Sequence, residues 1–252
     1  MQIADRDSLR PFLEADPVGS AVVWDRVFQQ PRFQDVLADG LPPHAVLALA
    51  RSDRAAVPMR IAIDARDGGS ARAVLRDVPP GPVNFHAAEE SLVEALRERS
   101  ETIEARPAWL YALDPSAFVD LQAHPVQPVA PGAAAFIAER WEPDWPSERY
   151  VRSRIEGGPT AGIYVDGALV AWAMTHFVTP RVAMLGFFHV LKERRRLGYG
   201  KSAASALTKE VLRRGLTPVL HVNVDNAPSI DLVEKLGYRR VKRQVWGDAV
   251  LR

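Results

Sequence analysis

The run Arg194-Arg195-Arg196-Leu197-Gly198-Tyr199-Gly200-Lys201-Ser202 sets two glycines among four cations. It lies between a strand-like apolar stretch, Val182 to Val190, and a helical one, Gly198 to Arg214, in which Ala204, Leu207, Val211 and Leu212 recur at helical spacing. The first N–H groups of a helix have no carbonyl behind them, so a loop in this place binds anions. Glycine at 198 and 200 lets a diphosphate approach the backbone, and the helix dipole and nearby cations favour negative charge. Neither the Walker spacing nor the dinucleotide fingerprint is present. A glycine pair of this kind also serves as a plain turn beside a solvated cationic face, so the wider pattern has to decide.

That pattern continues downstream. Arg195-x-x-Gly198-x-Gly200 is followed by Asn226-x-x-Ser229 and then by Glu234-Lys235-Leu236-Gly237-Tyr238. Together these segments resemble the GNAT superfamily of N-acyltransferases over about residues 128 to 252. The two-part layout, with Asn84-Phe85-His86-Ala87 upstream, is similar to the glycine N-acyltransferase-like branch.

The resemblance implies an α/β (α+β) protein of two tandem GNAT-like domains, each a mixed, mostly antiparallel sheet flanked by helices, with the C-terminal one complete. It implies a degenerate N-terminal copy that holds no cofactor. The donor would be acetyl-CoA or another short acyl-CoA, with no metal, and the acceptor an amine of a small molecule or amino acid. In that fold the fourth strand bulges away from the fifth, and pantetheine lies in the gap. Phe188, His189 and Val190 would occupy that strand end. The amides from Arg196 through Leu197, Gly198, Tyr199, Gly200 and Lys201 to Ser202 would hold the diphosphate, beside Arg195. Asn223 and Asn226 would lie near the pantetheine arm, although Asn226 serves equally as an ordinary helix cap. Met184 stands where some relatives carry a glutamate base, and Val233 where many carry a tyrosine acid. His221, on one strand face with Asn223, and His176, near the end of the third strand, are the candidate catalytic groups. A chain lacking those two groups also reads as a CoA-binding scaffold without turnover.

The elements that must position these residues are legible in part. Residues 7 to 34 carry helical periodicity, His44 to Ala50 and Val57 to Asp64 read as strands, and Asp67-Gly68-Gly69 reads as a hairpin turn into a run at Ala71 to Leu75. A helix is expected from Ala88 and a strand over Trp109 to Ala112. Pro125, Pro128 and Pro131 disfavour regular structure, which puts a domain boundary between residues 124 and 125. Beyond it come helices over Ala133 to Trp141 and Ser147 to Glu156, joined by the loop Trp141 to Trp145, a candidate acceptor-side wall. Two strands follow around the Asp166-Gly167 turn. The chain closes with a strand from Val219, a helix from Ala227, and a strand pair around Arg240 to Leu251.

Composition sets the outer bounds. At 252 residues, two small domains are expected. With 32 basic against 31 acidic residues there is no global field for nucleic acid or an anionic membrane. The absence of cysteine excludes disulfides, thiolate metal sites and a cysteine nucleophile. The N-terminus lacks a signal-like apolar run, and no stretch is apolar enough to span a membrane, so a cytoplasmic protein is expected, monomeric or homodimeric. Heavy use of Ala, Arg and Pro suggests a GC-rich bacterial source.

Overall fold

A computed structural model describes residues 1–3, 5–51, 57–141 and 147–252. The chain divides into two compact units: Met1–Leu110 with Val222–Asp225 and Arg240–Arg252, and Tyr111–His221 with Asn226–Arg239. The sequence reading set its boundary at the proline-rich stretch instead. The difference has a clear cause, since the C-terminal strand pairs within the first unit, a non-local match with no signal in local composition.

In the first unit, helices α1 (Arg10–Ala15) and α2 (Ala21–Phe28) precede strands β1 (Asp35–Ala38), β2 (Ala45–Ala50) and β3 (Met59–Ala65). Helix α3 (Gly68–Leu75), strand β4 (Gly81–Ala87), helix α4 (Val93–Glu98) and strand β5 (Ser100–Ala112) follow. The strand order is β1-β2-β3-β4-β10-β5, where β10 is Arg239–Leu251. Strands β1, β2 and β3 are antiparallel neighbours, β3 and β4 run parallel, and β10 runs antiparallel to β4. Leu47, Leu49, Ile61, Ile63 and Phe85 bury the face covered by α3 and α4.

Two expectations fail here. Asp67-Gly68-Gly69 is a helix start and not a hairpin turn: the Asp67 carboxylate accepts from the Ser70 N–H at 2.9 Å and its hydroxyl at 3.0 Å. Ala71, Val74 and Leu75 are buried at spacings of three and four, a helical period that the short run concealed. The C-terminal strand pair is one 13-residue strand. Gly247, which invites a turn reading, sits where a Cβ would come within 2.3 Å of the Glu104 carbonyl and 2.4 Å of the Phe85 ring. Residues 81–87, just ahead of the expected helix, form strand β4.

The second unit holds helices α5 (Ala134–Trp141) and α6 (Glu148–Gly157), then strands β6 (Thr160–Val165), β7 (Ala168–Val178) and β8 (Val182–Val190). Helix α7 (Tyr199–Arg213), strand β9 (Thr217–Asn223) and helix α8 (Ala227–Lys235) complete it, the last two residues of β9 grouping with the first unit. The order is β9-β8-β7-β6, with β9 parallel to β8 and the other pairs antiparallel. Local chemistry explains the boundaries. Asp166 and Gly167 take left-handed φ of 51° and 79°, as a two-residue hairpin requires. Ser147 caps α6 through the Tyr150 N–H, and Asn226 caps α8 through the Ser229 N–H at 3.2 Å. Ile137, Ile155, Leu169, Trp172 and Met174 form the core between the α5–α6 pair and the sheet. Of the loop Trp141 to Trp145, read as an acceptor-side wall, residues 142–145 lie outside the described residues. Among the described residues no helix is long and apolar enough to cross a membrane.

Candidate active site

Strands β8 and β9 pair in register from Val182↔Thr217 to Leu185↔Leu220, and the ladder ends there. Strand β8 continues through Gly186 to Val190 with Phe187 at φ 54°, and its register against β7 shifts twice in the same region. A left-handed, bulky residue inside a strand marks a bulge that turns the strand aside. His221 is the next residue on β9 after the last rung. The sequence thus builds a parallel pair that parts at Gly186, leaving Phe188, His189 and Val190 outside the β8–β9 ladder.

The cationic loop closes over this strand end. Arg195 Nε donates to the Val190 carbonyl at 3.2 Å, and a Cβ on Gly200 would come within 3.3 Å of the Val190 side chain. Arg196 has φ 64° and Gly198 φ 84°, so two left-handed residues flank the exposed Leu197. Gly198 then caps α7, which leaves the amides of Tyr199, Gly200 and Lys201 pointing out of the helix start. Ser202 is placed differently from the sequence expectation: its N–H donates to the Gly198 carbonyl, and its buried hydroxyl accepts from Ala123 and His124 N–H at 3.0 and 3.2 Å.

His189 stacks on Trp172 at 4.5 Å with 14° between the rings. Burial, followed by the charges of Arg195 and Arg140, holds its pKa below the ordinary histidine value, so it is neutral at pH 7. Asn223 is the exposed end of β9, in the stretch that groups with the first unit, and Asn226 spends its side-chain oxygen on capping α8. Met184 and Val233 are buried in the core, 2% and 0% exposed, and neither lends a titratable group.

The two candidate catalytic histidines occupy different settings. His221 is half-buried just beyond the last β8–β9 rung. His176 on β7 reaches across to the bulge. Its Nε2 would lie 2.1 Å from a Cβ on Gly186, its ring is 4.7 Å from Phe187, and its Nδ1 is 3.1 Å from Tyr150 Oη on α6. Trp141 packs against the same group, its ring tilted by 31° at 4.1 Å from Phe187. Tyr150 escaped the sequence reading because it sits at an ordinary helical position. Gly186, a lone glycine inside a strand, was the available signal of a close approach. Among the described residues there is no cluster of three or more metal-ligating side chains.

Known proteins share this fold. Residues 160–247 match a family described as FR47-like protein. A GCN5-related N-acetyltransferase from Kribbella flavida superposes with a TM-score of 0.68 at 21% identity, over 93% of this chain and 95% of its own. The fold is that of the GNAT acetyltransferases. A tandem GNAT protein from the clavulanic acid biosynthesis pathway aligns with 99% of this chain and 97% of its own, with a TM-score of 0.63 and 18% identity. A Drosophila protein aligns with 99% and 98% at a TM-score of 0.77 and 15% identity. The architecture is therefore two tandem GNAT-like domains. No sequence among curated proteins matches the chain.

Proposed function

We propose that this protein is an acyl-CoA-dependent N-acyltransferase, with acetyl-CoA as the simplest donor and the amine of a small molecule or amino acid as acceptor. One observation carries the reading: the β8–β9 ladder stops at Leu185 and Leu220, and the glycine loop at the start of α7 closes over the strand end so released. The amides of Leu197 to Lys201 would hold the diphosphate, and the backbone of Phe188 to Val190 the pantetheine. When bound, the cofactor supplies a thioester open to attack by an amine.

The chain's own part in the chemistry is to orient the amine and take its proton. In the tautomer whose Nδ1–H donates to Tyr150 Oη, His176 keeps a lone pair on Nε2, beside Gly186 where β8 leaves β9. We assign it the role of general base, with His221 as the second candidate. Replacing His176 by Ala then lowers kcat by about a hundredfold or more, and an unchanged kcat removes it from the mechanism.

The first unit reads as a copy that holds no cofactor, in keeping with the glycine N-acyltransferase-like branch. Two features support this. Strands β3 and β4 stay paired from Met59↔Val83 to Ile63↔Ala87, and Ala88 N–H still donates to the Ile63 carbonyl at 2.9 Å. The start of α3, where an anion would dock, is filled by the carboxylate of Asp67.

Titration calorimetry of acetyl-CoA and CoA into wild type and Gly198→Glu tests the cofactor site. Binding by wild type alone is expected; no binding by wild type refutes the reading. The buried Met184 and Val233 favour a second reading, a CoA-binding protein without turnover. Release of free CoA thiol with a panel of small amines separates the two.

A further inference from the structure

The segment before the proline-rich stretch is strapped along helix α7. Asp120 accepts from the Ser205 hydroxyl at 2.8 Å and pairs with Lys209 at 2.5 Å, and Leu121 N–H donates to Ser205 Oγ at 2.8 Å. Ala123 and His124 donate their N–H groups to Ser202 Oγ. Ser202 and Ser205 are both fully buried, so two hydroxyls one helical turn apart fasten the strap. At its end, His124 Nε2 lies 2.8 Å from the Leu197 carbonyl. A carbonyl only accepts, so Nε2 donates. The imidazole also packs edge-on against Tyr199 at 4.7 Å, and a Cβ on Gly198 would meet it at 3.4 Å.

We infer that His124 is a positioning residue for the anion loop: by holding the Leu197 carbonyl it fixes the direction of the Gly198 N–H. In a trans peptide the C=O and N–H point opposite ways. Anchoring the oxygen to His124 therefore aims the Gly198 amide away from the strap, and the ring contact sets Tyr199, the first residue of α7. Left-handed residues at 196 and 198 flank Leu197, so the orientation of this peptide is not dictated by regular structure. An external hydrogen bond is what selects it. The role is the same whichever acyl chain or acceptor is used, and it rests on the acyl-CoA reading for the identity of the anion, the diphosphate of CoA.

The test titrates CoA into wild type, His124→Ala, His124→Gln and His124→Phe, with melting temperature measured on each. Glutamine keeps an N–H donor at similar reach, whereas phenylalanine keeps the ring contact without the donor. Loss of the donor weakens CoA binding by about five- to tenfold in the Ala and Phe variants, while Gln stays close to wild type. Pantetheine, which has no diphosphate, binds all four alike. In the ligand-free proteins, the amide NMR signals of Gly198 and Tyr199 shift in the Ala and Phe variants and return toward wild type in Gln. CoA binding as tight in His124→Ala as in wild type overturns this inference alone, as does a Phe variant that matches Gln. Failure of wild type to bind CoA overturns the acyl-CoA reading and this role with it; the amide signals then report only whether His124 orders the loop.

Discussion

Replacing Gly186 by Ala should displace the His176 imidazole through a single contact. The new Cβ would stand 2.1 Å from His176 Nε2 and 2.4 Å from its Cδ2. No heavy atoms tolerate that approach, so the imidazole must swing away. It then gives up the Tyr150 bond at 3.1 Å and its packing on Phe187 at 4.7 Å. Overpacking of this kind costs about 1–3 kcal/mol, and the lost hydrogen bond accounts for ~1 kcal/mol of it. Gly186 does not have a positive φ, so the backbone itself accepts alanine and the clash is the whole cause. A double-mutant cycle isolates it. In a His176→Ala background the space is already open, and Gly186→Ala should cost less than about 0.5 kcal/mol there. Urea unfolding of the four proteins measures the coupling, and acyl transfer measured alongside should fall in every variant that moves the imidazole. An equal cost for Gly186→Ala in both backgrounds would refute the argument, because the clash would then lie elsewhere.

Other perturbations follow from the same contacts. Gly237→Ala forces a left-handed φ of 96° on a Cβ that would lie 2.0 Å from the Ala117 carbonyl oxygen, so a loss of at least ~2 kcal/mol is expected in denaturant unfolding. In the first unit, Lys242 is bonded to Asp16 at 2.7 Å and also to Glu89. Burial alone would raise the Asp16 pKa, but its bonds with Lys242 and Gly19 outweigh that and leave it lowered. Its stabilising effect is thus full above the unfolded carboxylate value and is lost as pH falls. Lys242→Met should cost about 1–3 kcal/mol at pH 7, with a deficit that shrinks below about pH 4; a constant deficit would show that the charges are not responsible. His189, held low by burial and then by Arg195 and Arg140, binds its proton more weakly folded than unfolded. Wild type should therefore lose stability relative to His189→Phe as pH falls below about 6.5, and a relative gain would contradict the assigned surroundings.

Where chemistry is local, the sequence was enough. Asp166-Gly167 dictates its hairpin because two adjacent left-handed residues fit few other turns, and Ser147 and Asn226 cap their helices with side chains three residues from the N–H they bind. The glycine loop between β8 and α7 was readable for the same reason. Asp67 shows the limit of such reading: one tripeptide serves a hairpin or a helix cap, and the packing of Ala71, Val74 and Leu75 decides between them. Tertiary structure alone decided the rest. Strand β10 joins β4 across more than 150 positions of chain, a pairing that no local signal announces. His124 meets Leu197 only because a strap 73 residues away is fastened along α7, and His176 meets Tyr150 only because α6 packs on β7. Residue types and short spacings place the glycine loop between a strand and a helix; the hydrogen bond that holds its Leu197 carbonyl comes from His124, a residue 73 positions away.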